Sequence, residues 1–519
     1  MAQSRRITEL KCLHLLALAL SPSLAWAQLS IPWSGYAHDP QHTGTSATAA
    51  QALNSIHWQT PIDTSGAAGG NGSLFVHYGS PVVTAANTVI VPVTTSNGYQ
   101  LEAFNGATGA QIYTLSSCIA SGCYTAPPLS WTPPYGPALS LGTWLYYPGP
   151  GGTIFYRTNP DSATGAIVQV AFYGMNGATG YSNHQAAFNN TIQISTPLTA
   201  DHAGNIFFGF TVTGSNPAGL ATGGGIARVS IAGTGTSVTA VSLTGDSTAN
   251  YIAFNCAPAL SVTQATVYVA TTSGGYAELG TGYLTSLSAT TLAPIAHVQL
   301  FDPRPGYGLA TVASVSSAAP MVAADGDVYY GVLEANCCTS HNDRGWMLHF
   351  NSALTQTKTP GSFGWDNTAS VVPSTSVPSY TGTSSYLILT KYNNYANAGG
   401  NGVNKIAILD PNATMQDEYS SVAVTVMQEV ITVTGVPPNP GLAGVREWCI
   451  NTAAIDPYTK AAIINSEDGT VYRWDFSSNT LLQRVSLTSG RSEAYTPTVI
   501  GPDGTAYAIN DAILFAVGN

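Results

Sequence analysis

Residues 319–332 read APMVAADGDVYYGV: a small residue and a proline, a short apolar run, an Asp-Gly turn, then a second run of β-branched and aromatic residues. Asp-Gly between two apolar runs marks a tight turn joining antiparallel strands, because Gly supplies the positive φ that such turns need. The same sentence recurs as SPVVTAANTVIVPV from Ser80, GPALSLGTWLYYP from Gly136, TPLTADHAGNIFFGF from Thr196 and APALSVTQATVYVA from Ala257. It recurs again as VPSYTGTSSYLILT from Val377, NTAAIDPYTKAAIIN from Asn451 and TPTVIGPDGTAYAIN from Thr496. A unit returning about every 60 residues signals a radial repeat, in which each small sheet covers its faces against its neighbours.

Each copy runs on into a third strand, as in YQLEAFNGATG, GGIARVSIAG, GYLTSLSATT, GWMLHFNSAL, NKIAILDPN and TVYRWDFSSN. A variable fourth follows, as in TSVTAVSLTG and TLLQRVSLTS. Four antiparallel strands in each of eight units predict an all-β, eight-bladed β-propeller. The last copy has no fourth strand of its own, so SIHWQTPIDT, residues 55–64, is expected to close the ring. The chain thus divides into a leader (1–27), a lead-in (28–54) and the propeller (55–519).

Only 8% of the residues are charged, against roughly 25% in an average globular protein. The first residues form a secretory leader, with Arg5, Arg6 and Lys11, the apolar LHLLALAL, and Ala25-Trp26-Ala27 as the cleavage site. The mature chain is expected to begin at Gln28, in the periplasm or at the cell surface. No later stretch is apolar enough to span a bilayer. A net charge of −11, more acidic still without the basic leader, excludes a general affinity for nucleic acid. Few basic groups also mean little self-repulsion in strong acid. That suits an acidic exterior, and equally any exported β-protein rich in Gly, Ser and Thr.

Cys12 leaves with the leader, and the remaining even number of cysteines favours disulfides in an exported chain. Cys118 and Cys123 are expected to close a small loop across IASG. The absence of any C-x-x-C pair argues against structural zinc and covalent haem.

The phase of the repeat sorts the loops. In an antiparallel blade, the second-to-third loop and the connection to the next blade share one face, which forms the ligand funnel of propellers. The first-to-second turn lies opposite. Asp325 in AADGDVYY therefore reads as a turn residue on the wrong face. The funnel side receives EANCCTSHNDRGW, with Glu334, Cys337, Cys338, His341, Asp343 and Arg344. Adjacent cysteines either close a ring on each other or leave a reactive sulfur beside a cation. The plainer alternative is a stapled, solvated loop in which Asp343 and Arg344 merely turn the chain. Other funnel-side segments add Arg304, Lys391, Arg446 with Glu447, and Arg491 with Glu493. Such cations fit a small dianion bidentately, or pair between blades, as Arg446 with Glu493 would.

The lead-in WSGYAHDPQHTGTS (residues 33–46) and the recurrent xDGxxY turns resemble the PQQ-repeat, quinoprotein-alcohol-dehydrogenase-like propellers. That resemblance specifies fold and not chemistry, because its members serve as dehydrogenases, assembly scaffolds and hydrolases. A charge-poor exported chain with the CC-x-x-H-N-D-R loop and a basic funnel is similar to the tetrathionate hydrolases of acidophilic sulfur-oxidising bacteria. This implies an acid-stable homodimeric enzyme that splits tetrathionate into thiosulfate, sulfur and sulfate, with no redox cofactor and no metal. Its partner would be a small anionic sulfur compound, and its seat is compatible with peripheral association with the outer membrane.

Under that resemblance Asp343 activates water, while Arg344 stabilises an oxyanion and keeps Asp343 ionised. Cys337 or Cys338, unless joined, carries a sulfur chain. His341, Arg446, Arg491, Lys391, Arg304 and Glu493 surround the substrate. The alternatives are a PQQ- and calcium-dependent dehydrogenase, whose vicinal disulfide would stack on the quinone, and a non-catalytic periplasmic binding or scaffold propeller.

Overall fold

Eight antiparallel sheets follow one another along the chain, each built outward from a short inner strand. The computed structural model describes residues 33–63, 79–95, 98–120, 122–123, 136–140, 143–275, 278–314, 316–438, 441–489 and 494–519. The leader and Gln28 lie outside them. Blade one, for example, runs Val82–Val83, Thr88–Thr95, Gly98–Asn105 and Gln111–Ser116. Blade seven runs Ala454–Asp456, Ala461–Asn465, Thr470–Asp475 and Thr480–Ser486. The inner strands are continuously buried, because blades pack on both of their faces. The outermost strand alternates between exposed and half-buried residues, as Thr480–Ser486 does, so its sequence shows the two-residue period of a half-wet surface.

The ring closes as its sequence predicts. Ser55–Pro61 pairs antiparallel with Ile513–Gly518 and becomes the fourth strand of blade eight. Three details differ from expectation. In TSVTAVSLTG, read as a fourth strand, the strand ends at Thr239, whose side chain caps a short helix over Ala240–Thr244. The first strand of blade six is Ser370–Pro373, ahead of the predicted start at Val377, because residues 374–385 lengthen the following turn and carry a second Val-Pro of their own. Blade five has three strands rather than four: Met321–Val322, Val328–Val332 and Trp346–Phe350. Its outer edge is met only by isolated bridges at Thr357 and Gly361. Pro360 between them has no N–H to give a ladder, and its carbonyl accepts from Met427 of the long blade-six hairpin at 2.8 Å.

The lead-in belongs to the core. Carbonyls of Trp33, Ser34, Pro40, Gln41, Thr43 and Gly44 accept from Val83, Leu139, Leu260, Val322, Val371 and Ile455, at 2.7–3.0 Å. These are inner-strand residues of blades one, two, four, five, six and seven. At blade eight the roles reverse, and Gln51 donates to Gly504 at 2.8 Å. The segment crosses the axis on the side of the first-to-second turns, opposite the funnel. Asp325 lies on that side too, as its phase predicts, with Oδ1 accepting from Asp327 N at 3.0 Å.

His42 of the lead-in is 1% exposed. Its Nδ1 donates to the Pro320 carbonyl at 2.7 Å, and its Nε2 is buried without a protein partner. Burial pushes the imidazole down to about 4, against the opposing pull of the Pro320 carbonyl and Asp39. An unfolded histidine titrates near 6.5, so between those values the unfolded chain binds more protons and stability falls as pH falls. His42→Asn keeps a donor for Pro320 and tolerates the positive φ of 62°. Urea midpoints across pH should show wild type losing about 3 kcal/mol between pH 6.5 and 4 through this group. The variant should lack that slope, and an unchanged slope would refute the assignment.

Candidate functional site

The second-to-third loop of blade five is organised around one buried carboxylate. Glu334 is fully buried, and its Oε1 accepts from the backbone N–H of His341 at 3.0 Å and of Asp343 at 3.2 Å. Its Oε2 accepts from Gly345 N at 2.9 Å. Asn336, Asn342 and Asp343 take positive φ, the left-handed conformation that Asn and Asp adopt more readily than other side chains. From the neighbouring connection, Asp302 accepts from Ala335 N at 2.8 Å, and Arg304 donates to Ser340 O at 2.7 Å.

That framework pushes three groups to the half-exposed rim. Cys337 and Cys338 are joined in a vicinal disulfide, so neither sulfur is a thiolate as the chain stands. The two Sγ atoms and a carboxylate oxygen of Asp343 all lie within 4.8 Å of one another. Burial, with the nearby Glu334 charge second, pushes the Asp343 carboxyl up to about 6, and Oδ1 is buried without a hydrogen-bond partner. The expectation that Arg344 holds Asp343 ionised is therefore corrected. At acidic pH Asp343 is a neutral acid and can give a proton.

Arg344 turns away from Asp343 into the protein. It is fully buried, donates to Asn393 O and to Ser362 O, the latter at 2.8 Å, and lies 3.6 Å over the Tyr419 ring. His341 stacks on Trp346 at 4.0 Å and pairs with Asp417 at 3.0 Å. Burial alone would raise the Asp417 carboxyl, but hydrogen bonds from His341 and Ser362 and the charges of His341 and Arg344 hold it below its ordinary value. Arg304 forks onto Asp302 at 2.9 and 2.6 Å. Arg344, expected to stabilise an oxyanion, and His341 and Arg304, expected around the substrate, thus make their hydrogen bonds within the protein, with Arg344 Nε buried and unpartnered.

Two predicted cations make no ion pair among the described residues. Lys391, 1% exposed, stands at the funnel end of Tyr386–Tyr392 in blade six, its Nζ 5.9 Å from the Phe363 ring. No salt bridge engages it among the described residues. Arg446, on the connection to blade seven, keeps a buried Nη1 without a partner. Asn404 links the two segments, accepting from Asn394 N at 3.0 Å and donating to Val445 O at 2.8 Å. Arg491 and Glu493 lie outside the described residues.

Sequence reading missed a second cluster, in which Glu447, Cys449 and Glu467 bring ligand atoms within 4.8 Å. The Cys449 thiol donates to Glu467 at 3.2 Å. Glu467 sits in the second-to-third turn of blade seven, and the repeat phase that singled out blade five would have found it there. Cys449 is in no disulfide, whereas Cys118 and Cys123 are joined as expected. Neither cluster fits the calcium of a quinone enzyme. Calcium takes six to eight oxygens, while one set centres on joined sulfurs and the other includes a thiol. The two guanidiniums nearest the disulfide loop are also committed to protein partners.

No protein-family model and no curated protein sequence matches the chain. Among solved structures it is similar to a europium-containing methanol dehydrogenase, with a TM-score of 0.52, 9% identity, and 91% of this chain and 89% of that chain covered. It is likewise similar to the quinohemoprotein alcohol dehydrogenase from Comamonas testosteroni, with a TM-score of 0.51, 13% identity, and 95% and 78% covered. At such identities the likeness is one of fold: an eight-bladed, PQQ-dehydrogenase-like β-propeller.

Proposed function

We propose that the chain is an exported hydrolase that splits tetrathionate in acid into thiosulfate, sulfur and sulfate. The observation that carries this reading is a carboxylic acid, neutral below about pH 6, within 4.8 Å of a vicinal disulfide in the funnel of a charge-poor propeller. A proton given to the departing sulfur eases cleavage of a sulfur–sulfur bond, and Asp343 is protonated when the medium is acidic. The joined sulfurs offer a polarisable surface for the substrate's sulfur chain, and Lys391 and Arg446 offer charge to its sulfonates.

The reaction balances without an electron acceptor. Water adds to one sulfonate sulfur, the bond to the neighbouring sulfur breaks, and Asp343 protonates the departing sulfur. Asp343, now ionised, takes the proton that the water gives up. Hydrogensulfate leaves with a sulfonated persulfide, HS–S–SO3 as the anion, which sheds one sulfur atom to become thiosulfate. Preorganised cations near the sulfonates stabilise charge in the transition state.

Purified protein mixed with tetrathionate at about pH 3, well below the Asp343 titration, should release thiosulfate and sulfate in equal amounts with no added acceptor. No thiosulfate at any acidic pH would remove the reading. A PQQ-dependent dehydrogenase is the second reading, favoured by the vicinal disulfide on this fold and opposed by the donor sets. A quinone absorption band, with dye reduction restored by calcium, would establish it instead.

A further inference from the structure

Tyr36 carries the lead-in's influence into the funnel. Its hydroxyl lies 2.6 Å from Ser317 O, 2.8 Å from Thr368 Oγ1 and 2.8 Å from Asn451 Oδ1. Each of these residues closely precedes the first strand of its blade, five, six or seven, where a funnel-side connection turns down toward the axis. The hydroxyl therefore sits where these three connections meet, while the backbone of the same segment bonds to the inner strands. Burial pushes the phenol well up, against the lowering effect of its bonds to Thr368 and Asn451, so it stays protonated.

Two of the three contacts lead directly to site residues. Thr368 follows Asn367, whose amide donates to Thr390 Oγ1 at 2.9 Å and whose Oδ1 accepts from Lys391 N at 3.5 Å. Asn451 lies beside Cys449 and Trp448, and Trp448 exchanges hydrogen bonds with Asn393 at 3.1 and 3.2 Å. Asp366 joins this network, accepting from Ser317 N and Oγ at 2.6 Å each. Lys391 is 1% exposed and makes no ion pair among the described residues, which leaves its charge open to an anion.

We infer that Tyr36 is the positioning residue for Lys391. Through Thr368 and Asn367 it fixes the strand end from which the ammonium serves the funnel. Lys391's role as an anion anchor rests on the polythionate reading.

Tyr36→Phe keeps the ring and removes the hydroxyl. Its dissociation constant for thiosulfate, measured in acid by calorimetry, should weaken by about tenfold, the worth of one or two buried hydrogen bonds. KM for tetrathionate should rise in step with kcat nearly unchanged, as for lost uniform binding. Amide exchange should quicken at residues 317–319, 366–368 and 390–392 while the strands of blades one and two keep their protection. Thr368→Ala reaches the same network from the blade side and should give the same pattern if Tyr36→Phe folds poorly. Unchanged thiosulfate affinity in a folded variant, exchange loosened equally in every blade, or a wild-type protein that binds no thiosulfate would overturn the positioning role. A protein that never turns over tetrathionate, yet whose thiosulfate affinity depends on Tyr36, would end the hydrolase reading and leave the positioning role standing.

Discussion

Glu334→Ala is expected to be the most destabilising single substitution in the funnel wall. It strips two backbone N–H groups of their acceptor at once, those of His341 and Gly345, and takes one of two acceptors from Asp343 N, which keeps Cys338 O at 2.8 Å. A buried donor left unsatisfied costs about 1–3 kcal/mol, and water entering the space recovers part of that. A loss of roughly 2–5 kcal/mol in urea unfolding follows. Glu334→Gln retains one acceptor oxygen but turns an NH2 toward an N–H, so it should fall between wild type and Ala. Amide exchange of residues 341–345 in either variant should rise toward that of a free loop. An Ala variant within about 0.5 kcal/mol of wild type would show that the loop holds itself without the carboxylate, since that is the scatter of surface substitutions.

The fold was legible because its repeat is physical at every level: a small residue to reach the axis, an apolar strand, a turn, a buried strand. Every copy but the sixth begins two or three residues ahead of its inner strand, and the sixth misled because VVPSTSVPSY contains the opening phrase twice. Phase placed Asp325 in a first-to-second turn, the disulfide loop between second and third strands, and Lys391 at the end of a second strand, where the strands put them. What phase could not give is direction within a loop. Asp343 and Arg344 are neighbours in sequence, yet the carboxyl stays at the rim while the guanidinium turns inward to Asn393, Ser362 and three aromatic rings. Counting cations near the funnel likewise could not tell which had partners. Arg304 and Arg344 are structural because a chain so poor in charge buries guanidinium as packing, with every available carbonyl and ring around it. The lead-in was legible as a motif but not as part of the core, since its bonds are made by backbone carbonyls, which leave no trace in side-chain pattern.

Asp343→Asn separates the reactive reading of this loop from the purely structural one, because both tie stability to the carboxyl's titration but only the first ties turnover to it. The carboxyl titrates near 6 in the folded chain and near 3.8 when unfolded. Between those values the folded chain binds more protons, so stability from this group is complete below the unfolded value and declines as pH rises through the folded one. Asn removes the charge, and the variant should therefore match wild type in melting temperature in strong acid and exceed it at neutral pH. Activity should move the other way. Wild-type turnover of tetrathionate should hold below about pH 5 and fall as Asp343 ionises, whereas the variant should show no such limb and a kcat lower by about 10²–10⁴-fold, the usual worth of a general acid. A variant that is more stable at neutral pH yet keeps wild-type turnover would leave Asp343 as a strained turn residue, and the proton for the departing sulfur would have to come from the solvent itself.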